Sequence, residues 1–270
     1  MKEISIEELK LLQLNMLTYI KKVCEKNNLK YYLCGGTLLG AIRHKGYIPW
    51  DDDIDIFMPI DDYKRFLKLN HKVEGYTALN PYECNDYYYT FSKLVDNRTK
   101  LVELGWPEVD KMGVYIDIFP LFALPDNETE RDEYISKLRS LNEKHYRYFW
   151  SVWNYSENRI KMIAKSILKF PGYIINKKRK TKENILKLMD KYDFKRSENV
   201  GFVLSAYDPK KEVTRKEVYE KTIQVEFEGE LFSAPVGYDE YLSNLYGEYM
   251  KLPPIEKRKT HHNFKAYWKN

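Results

Sequence analysis

Two aspartates separated by one apolar residue, Asp53 and Asp55, are the first candidates for chemistry in this sequence. Residues two apart on a β-strand point to the same face, so a strand over 53–57 places both carboxylates on one side and Ile54 and Ile56 in the core. Adjacent carboxylates repel each other unless one is protonated or a cation binds. Hard oxygen ligands of this kind favour magnesium or manganese, and the pair therefore predicts a site for one of these ions.

A glycine pair upstream suits the binding of phosphate. Gly35, Gly36 and Thr37 follow the short apolar run 31–34 and precede a helical pattern over 38–42. Glycine lets the backbone approach a ligand closely, and the N-terminus of the following helix presents N–H groups and a positive dipole to an anion. A phosphate site beside a metal site predicts phosphoryl transfer.

The alternative interpretation treats the acidic run as a solvated turn, which is what most charge runs form. That run comprises Asp51, Asp52, Asp53 and Asp55. The alternation with isoleucine and the glycines upstream favour a binding site over such a turn.

A single acidic residue, Asp117, interrupts the apolar run 114–122. Burying an unpaired carboxylate costs on the order of several kcal/mol, so Asp117 needs a metal or a charged partner. The two interpretations are a metal ligand and a carboxylate paired with an arginine.

Cations near these acids are candidates for phosphate binding. The loop 43–50 carries Arg43, which could neutralise nucleotide phosphates, and His44, which could be a base or a surface residue. Trp50 could stack on a base, cover a quaternary ammonium by cation–π attraction, or pack in the core. Lys93 alternates with apolar neighbours, and it could reach the site or simply lie on a strand face.

The segment 35–56, GGTLLGAIRHKGYIPWDDDIDI, resembles the motif of the LicD family, the phosphocholine transferases of bacterial surface glycans. More distantly it resembles the fukutin-related transferases that use CDP-ribitol. The resemblance implies a nucleotidyltransferase fold, in which a glycine turn precedes an Asp-apolar-Asp pair and a later strand supplies a third acidic residue. Asp117 falls at that third position, and LicD-like sequences carry a similar lysine strand around Lys93. The resemblance extends to Tyr-Gly and Pro-Pro segments late in the chain and is weakest over 127–200.

The resemblance implies a role for each candidate. Asp53, Asp55 and Asp117 hold Mg²⁺ or Mn²⁺, and Asp117 is also a candidate base for the acceptor hydroxyl. Asp51 completes the acidic cluster as a ligand or by activating that hydroxyl. The remaining candidates bind substrate. Gly35, Gly36 and Thr37 form a phosphate cradle, and the others are Arg43, Lys93 and Trp50.

The activity implied by the resemblance is transfer of phosphocholine from CDP-choline to a hydroxyl of a teichoic acid or lipopolysaccharide precursor, with release of CMP. CDP-ribitol, CDP-glycerol or CDP-ethanolamine would need the same phosphate machinery. A nucleotidyltransferase that uses an NTP would instead release pyrophosphate. A nonenzymatic phosphocholine- or glycan-binding module would leave Asp117 and the Asp53/Asp55 pair without a role.

The composition indicates a globular protein with a sizeable core, since 43% of the 270 residues are hydrophobic and 15% are aromatic. The formal charge of +5 is mild and does not imply a nucleic-acid partner. Cys24, Cys34 and Cys84 form no CxxC pair, which favours reduced thiols in a cytoplasmic protein. We see no cleavable signal at the N-terminus and no apolar run near the roughly twenty residues that span a bilayer.

The pattern of elements predicts an α/β (α+β) fold, a nucleotidyltransferase-like mixed sheet core with flanking helices and a helical insertion. We expect a catalytic core over 1–126, a basic and aromatic insertion over 127–195, and strands and a helix over 196–270 that complete the catalytic domain. The insertion contains a basic amphipathic pattern at 159–170, which could pack on the domain or lie on the inner membrane face near a lipid-linked glycan acceptor. His261 and His262 are too isolated to be assigned as metal ligands.

Local signals predict several boundaries. Ser5 and Glu8 have the spacing of a capping box before a long amphipathic helix. Asp61 or Asp62 is expected to cap a helix after Pro59. We also predict a strand over 200–205, a hairpin that turns at 228–230, and a tail after residue 250 with little periodicity.

Overall fold

The computed structural model describes residues 1–71, 75–84, 87–103, 106–153, 175–260 and 264–269. Its helices are α1 (Ile6–Asn27), α2 (Gly35–His44), α3 (Ile60–Leu67), α4 (Glu128–Trp153), α5 (Ile175–Met189), α6 (Pro209–Glu212) and α7 (Tyr238–Tyr246). Its strands are β1 (Tyr32–Leu33), β2 (Asp55–Pro59), β3 (Tyr76–Leu79), β4 (Ser92–Asp96), β5 (Thr99–Glu103), β6 (Tyr115–Leu124), β7 (Asn199–Gly201), β8 (Thr214–Arg215), β9 (Thr222–Phe227), β10 (Glu230–Pro235) and β11 (Phe264–Trp268).

A mixed sheet of seven strands forms the centre of the fold. Strands β1, β2, β6, β4 and β3 are neighbours in that order, and β7 and β8 continue from β6. Strands β2 and β6 run parallel, whereas the other neighbouring pairs are antiparallel. The predicted α/β class with a mixed sheet is confirmed.

Helix α1 begins with the predicted capping box. The Ser5 hydroxyl accepts from the Glu8 N–H at 3.2 Å, and the Glu8 carboxylate accepts from the Ser5 N–H at 2.9 Å. The helix ends at Asn28, which adopts the left-handed conformation that closes many helices. Its buried apolar residues, including Met16, Leu17 and Ile20, face the sheet core.

The main core lies between the sheet and the helices around it. Ile54 and Ile56 are fully buried, as their alternation with the aspartates predicts. Side chains of α4 and α5, among them Leu138 and Ile185, belong to the same core as the strands. The described part of 127–195 therefore packs on the sheet, while the three domain boundaries remain predictions.

Three local predictions need correction. The strand predicted over 53–57 begins at Asp55, and the two glycines predicted as a turn are the first residues of α2. Helix α3 has Pro59 at its N-cap without a side-chain hydrogen bond, so neither Asp61 nor Asp62 caps it. Both aspartates instead lie in the first turn, where their charge faces the positive end of the helix dipole.

The later part of the chain also differs from prediction. The strand expected over 200–205 ends at Gly201, because the segment after it turns towards α6. The hairpin of β9 and β10 is confirmed, and Glu228 and Gly229 at its turn both have positive φ. The tail contains β11, which pairs with β5 and accepts an N–H bond from Ile4 at 2.9 Å.

Several predictions fall outside the described residues. They include the basic pattern at 159–170 and the pair His261 and His262. Among the helices that are described, none combines the length and the apolar composition of a bilayer-crossing segment. The three cysteines, all described, are free thiols.

Candidate active site

Three charged side chains lie in one row across three neighbouring strands. The parallel register of β2 and β6 places Asp55 opposite Asp117, and the antiparallel register of β6 and β4 places Asp117 opposite Lys93. Paired residues on neighbouring strands project from the same face of a sheet, so the three side chains share one face. The Lys93 ammonium contacts Asp117 Oδ1 at 2.6 Å. We call these residues the charged row.

Helix α2 begins against this row. The N–H of Asp55 donates to the Thr37 hydroxyl at 2.8 Å, which ties the start of β2 to the first turn of α2. Gly35 has φ of +53°, and a Cβ at Gly36 would lie 2.6 Å from Asp51 Oδ2. Because the two glycines have no side chains, carboxylates lie against the first turn of this helix. They occupy the place where the sequence predicts an open phosphate cradle.

The acids of the row and its neighbours repel each other. Burial, and then the charges of Asp53, Asp117 and Asp51, raise the pKa of Asp55 well above its usual range, while Lys93 opposes the shift. Asp55 Oδ1 is buried and accepts no hydrogen bond from the described residues. A carboxylate in this position needs a proton or a cation.

The donor set fits a hard divalent cation in its chemistry. The neighbouring ligand candidates are carboxylates, and one buried carboxylate oxygen lacks a partner. As the side chains stand, no three His, Cys, Asp or Glu residues of the described part are arranged to hold a metal ion. Asp117 is instead engaged with Lys93. Binding of a cation would therefore need the carboxylates to close in from their present rotamers.

Lys93 is a buried member of the site, with 1% of its surface exposed. Its ammonium lies 3.4 Å from the ring centroid of Tyr115 and 4.3 Å from that of Tyr89. Lys93 is thus enclosed by aromatic rings, and its ammonium contacts Asp117.

The structure does not bring Arg43 into the charged row. Arg43 is eight positions after Gly35, which is about 12 Å along the axis of α2. The Arg43 guanidinium donates to the carbonyl of Tyr249 at 2.7 Å and to the ring of His44 at 2.9 Å. Burial, and then the charge of Arg43, lower the pKa of His44.

Trp50 is half-buried beside the late loop of the chain. The Arg258 guanidinium lies 5.5 Å from its ring centroid, and the Thr260 hydroxyl donates to its carbonyl at 3.2 Å. A cation of the protein already contacts this ring. The predicted roles of Arg43 and Trp50 in substrate binding remain predictions, with no contact between either side chain and the charged row to support them.

Sequence reasoning missed Glu212, which has 3% of its surface exposed. The Ser205 hydroxyl donates to its Oε1 at 2.6 Å, and burial raises the pKa of Glu212 to about 7. Burial raises the pKa of Cys34 and of Tyr241, and the charge of Glu212 adds to both shifts. The Tyr241 hydroxyl accepts a hydrogen bond from the Gly35 N–H at 3.1 Å. Glu212 lies in the charged run PKKE, which gives no sign of burial.

A cavity of about 550 Å³ lies away from the charged row. Its lining includes Tyr32, Tyr219 and Pro59, and Pro59 is the far end of β2. Pro59 is four positions after Asp55 along the strand, which is about 13 Å. We assign this cavity no part in the chemistry of the row.

Comparison with known proteins shows that this chain is similar to transferases. The family described as LicD/FKTN/FKRP, nucleotidyltransferase domain, matches residues 28–236. Lipopolysaccharide cholinephosphotransferase LicD of Haemophilus influenzae is 34% identical over 273 aligned positions, which cover 99% of each chain. Ribitol 5-phosphate transferase FKRP of Homo sapiens is 46% identical over 44 residues, which are 16% of this chain and 9% of that protein.

The family match covers the segment that carries the glycines, the paired aspartates and Asp117. They confirm the predicted family and the predicted class of enzyme, a transferase. Since the family match covers most of the chain and a relative within it aligns along nearly its whole length, this chain belongs to the LicD/FKTN/FKRP nucleotidyltransferase family.

Proposed function

We propose that this enzyme transfers phosphocholine from CDP-choline to a hydroxyl of a cell-surface glycan precursor and releases CMP. The observation that carries the proposal is the row of Asp55, Asp117 and Lys93, with a buried Asp55 oxygen that accepts no hydrogen bond within the described part of the chain. Such a row can bind a cation and a phosphate side by side. The choice of phosphocholine is supported by the name of the Haemophilus influenzae relative.

The carboxylates are assigned two tasks. Asp53, Asp55 and Asp117 would hold Mg²⁺ or Mn²⁺, which when bound would neutralise phosphate oxygens. Asp51 lies against the first turn of α2 and either joins these ligands or takes the proton of the acceptor hydroxyl. Asp117 is the other candidate for that proton.

The bond changes of the proposed reaction balance without any further reactant. The acceptor oxygen bonds to the phosphorus that carries choline, and the bond from that phosphorus to the bridging oxygen breaks. CMP leaves with the electron pair, and the hydroxyl proton passes to a carboxylate. Lys93 supplies a buried positive charge beside the transferred group, where removal from water strengthens its effect.

The binding of substrate is assigned to the start of α2. Gly35, Gly36 and Thr37 would place backbone N–H groups near a phosphate once the carboxylates have turned to a cation. Arg43 and Trp50 would contact the nucleotide or the choline group, as predicted from the sequence. The acceptor in this proposal is a lipid-linked lipopolysaccharide or teichoic acid precursor, met by a cytoplasmic enzyme at the inner membrane face.

The test measures CMP release by the purified protein with Mg²⁺, using CDP-choline, CDP-ribitol, CDP-glycerol, CDP-ethanolamine and NTPs in turn. Each donor is tried with and without a crude lipid-linked glycan extract. We expect acceptor-stimulated CMP from CDP-choline and none from the Asp55→Asn variant. Stimulated release from another CDP-alcohol would reassign the donor, and pyrophosphate from an NTP would establish a nucleotidyltransferase instead.

A further inference from the structure

Three tyrosine hydroxyls converge on one half-buried carboxylate, that of Glu103 at the end of β5. Tyr89 donates to Oε1 at 2.6 Å, and Tyr115 donates to the same oxygen at 3.3 Å. Tyr88 donates to Oε2 at 2.6 Å. Burial, and then the charge of Glu103, raise the pKa of Tyr89 well above its usual range, so the phenol keeps its proton and remains the donor.

Two of these three rings also face the Lys93 ammonium. Its distance to the ring centroid is 3.4 Å for Tyr115 and 4.3 Å for Tyr89, with the ring of Phe91 at 5.3 Å. The ring of Tyr88 packs on that of Tyr89, with 4.4 Å between the centroids and 3.5 Å between the two hydroxyl oxygens. A continuous set of contacts therefore runs from Glu103 through two phenol rings to Lys93 and on to Asp117.

The hydrogen bonds to Glu103 strengthen the attraction between the two tyrosine rings and the Lys93 ammonium. A phenol that donates to a carboxylate is polarised, which makes its ring more electron-rich and its attraction for a cation larger. The effect is greatest where water is excluded, and Lys93 is almost fully buried. A lysine side chain has many rotamers, and ring faces on several sides leave its ammonium few positions.

We propose that Glu103, acting through Tyr89 and Tyr115, is a positioning residue that fixes the Lys93 ammonium beside Asp117. Its effect on catalysis rests on the proposed function, in which Lys93 stabilises charge on the transferred phosphate. The physical link between Glu103 and Lys93 does not rest on that function. The two parts are therefore tested by separate measurements.

The link is tested by a double-mutant cycle of Glu103→Gln with Lys93→Met, measured by denaturant unfolding. We expect coupling that changes the unfolding equilibrium constant at least fivefold, although the two residues meet only through the rings. The matched control is a cycle of Tyr134→Phe with Lys93→Met. Tyr134→Phe removes a similarly short tyrosine hydrogen bond, to the carbonyl of Leu188 at 2.7 Å, where α4 packs on α5, so this cycle should be additive. An additive Glu103–Lys93 cycle would overturn the proposal.

The effect on transfer is tested with the Tyr89→Phe/Tyr115→Phe variant, which retains both rings and Lys93. We expect kcat for CMP release to fall at least tenfold while the donor KM changes less than threefold. Tyr134→Phe, which removes the bond to the Leu188 carbonyl, should keep kcat within twofold despite a fall in melting temperature. Equal losses of kcat in both proteins would show a structural effect and overturn the positioning role. Absence of CMP release by the unmodified protein would count against the proposed function, and the unfolding cycle would still decide the link.

Discussion

Asp55 and Asp117 lie directly opposite each other on the parallel strands β2 and β6, and Asp117 also contacts Lys93 across the sheet. One lysine thus stands beside a group of carboxylates that includes Asp51 and Asp53. Burial first, and then this excess of negative charge, raise the pKa of Asp55. Because of this excess, substitutions in the row should change the stability and the activity of the protein in different ways.

Asp55→Asn should remove activity and increase stability. Replacing a carboxylate that is buried among like charges relieves repulsion, so the free energy of unfolding at pH 7 should rise. Transfer should fall on the order of 10³-fold, as for other groups that stabilise transition-state charge. Urea unfolding and CMP release measure the two effects. Asp61→Asn on the exposed first turn of α3 is the control, and an active Asp55→Asn enzyme would contradict the assignment.

Lys93→Met should be destabilising as well as inactive. The change removes the ammonium that contacts the largely buried Asp117 carboxylate, and loss of one member of such an ion pair costs about 3 kcal/mol. Adding Asp117→Asn to the same protein removes the carboxylate charge as well and should restore much of the stability but none of the activity. If the double variant is no more stable than Lys93→Met alone, the contact between the two residues is not responsible for the loss.

The stability should depend on pH through Glu212. Its pKa is raised from 4.5 to about 7, so the folded state binds the proton more tightly than the unfolded state. The stabilisation is fully present below pH 4.5 and is lost as the pH rises through about 7, and the difference is roughly 3 kcal/mol. Unfolding at pH 5 and pH 8 should show this loss in the unmodified protein and not in Glu212→Gln. Equal pH dependence in the two proteins would exclude Glu212 as its source.

Mg²⁺ or Mn²⁺ should raise the melting temperature of the unmodified protein. A ligand that binds only the folded state at a hundred times its Kd adds about 2.7 kcal/mol of stability. The shift should be absent in Asp55→Asn and present in Asp61→Asn, since Asp61 is far from the row on α3. A shift of the same size in all three proteins would place the binding of the cation elsewhere.

Gly36→Ala should impair activity more than stability. Alanine ordinarily stabilises a helix relative to glycine, but this Cβ would lie 2.6 Å from Asp51 Oδ2 and force that side chain to move. We expect transfer to fall on the order of 10²-fold, the lower end of what a positioned acid–base group contributes, with a small change in melting temperature. If Gly36→Ala retains full activity, the contact between Asp51 and α2 has no part in transfer.

Much of the site could be predicted because its signals are local. The alternation around Asp53 and Asp55 and the lone Asp117 in an apolar run are visible within a few residues. The charged row itself could not be predicted in detail, because its register depends on pairing between segments far apart in the chain.

The remaining differences have a similar origin. Glu212 and Glu103 are indistinguishable in sequence from surface acids. Tertiary packing alone buries Glu212 and brings the tyrosine hydroxyls to the half-buried Glu103. Arg43 was assigned to phosphate by its distance in sequence from the aspartates, yet the C-terminal loop supplies carbonyls that bind its guanidinium. The pairing of β11 with β5 follows no periodicity in the tail.

Strand β11 has a consequence for chain connectivity. The N–H of Trp268 donates to the carbonyl of Lys2 at 2.8 Å, and Phe264 pairs with Glu103 at the other end of the same strand. Residues 2 and 268 are therefore close enough to be joined by a short linker. In a circular permutant, a linker would join residues 2 and 268, and the new ends would lie in an exposed loop. The position of Glu103 should be unchanged in this protein, because it depends on the neighbouring strands and not on the order in which they are linked.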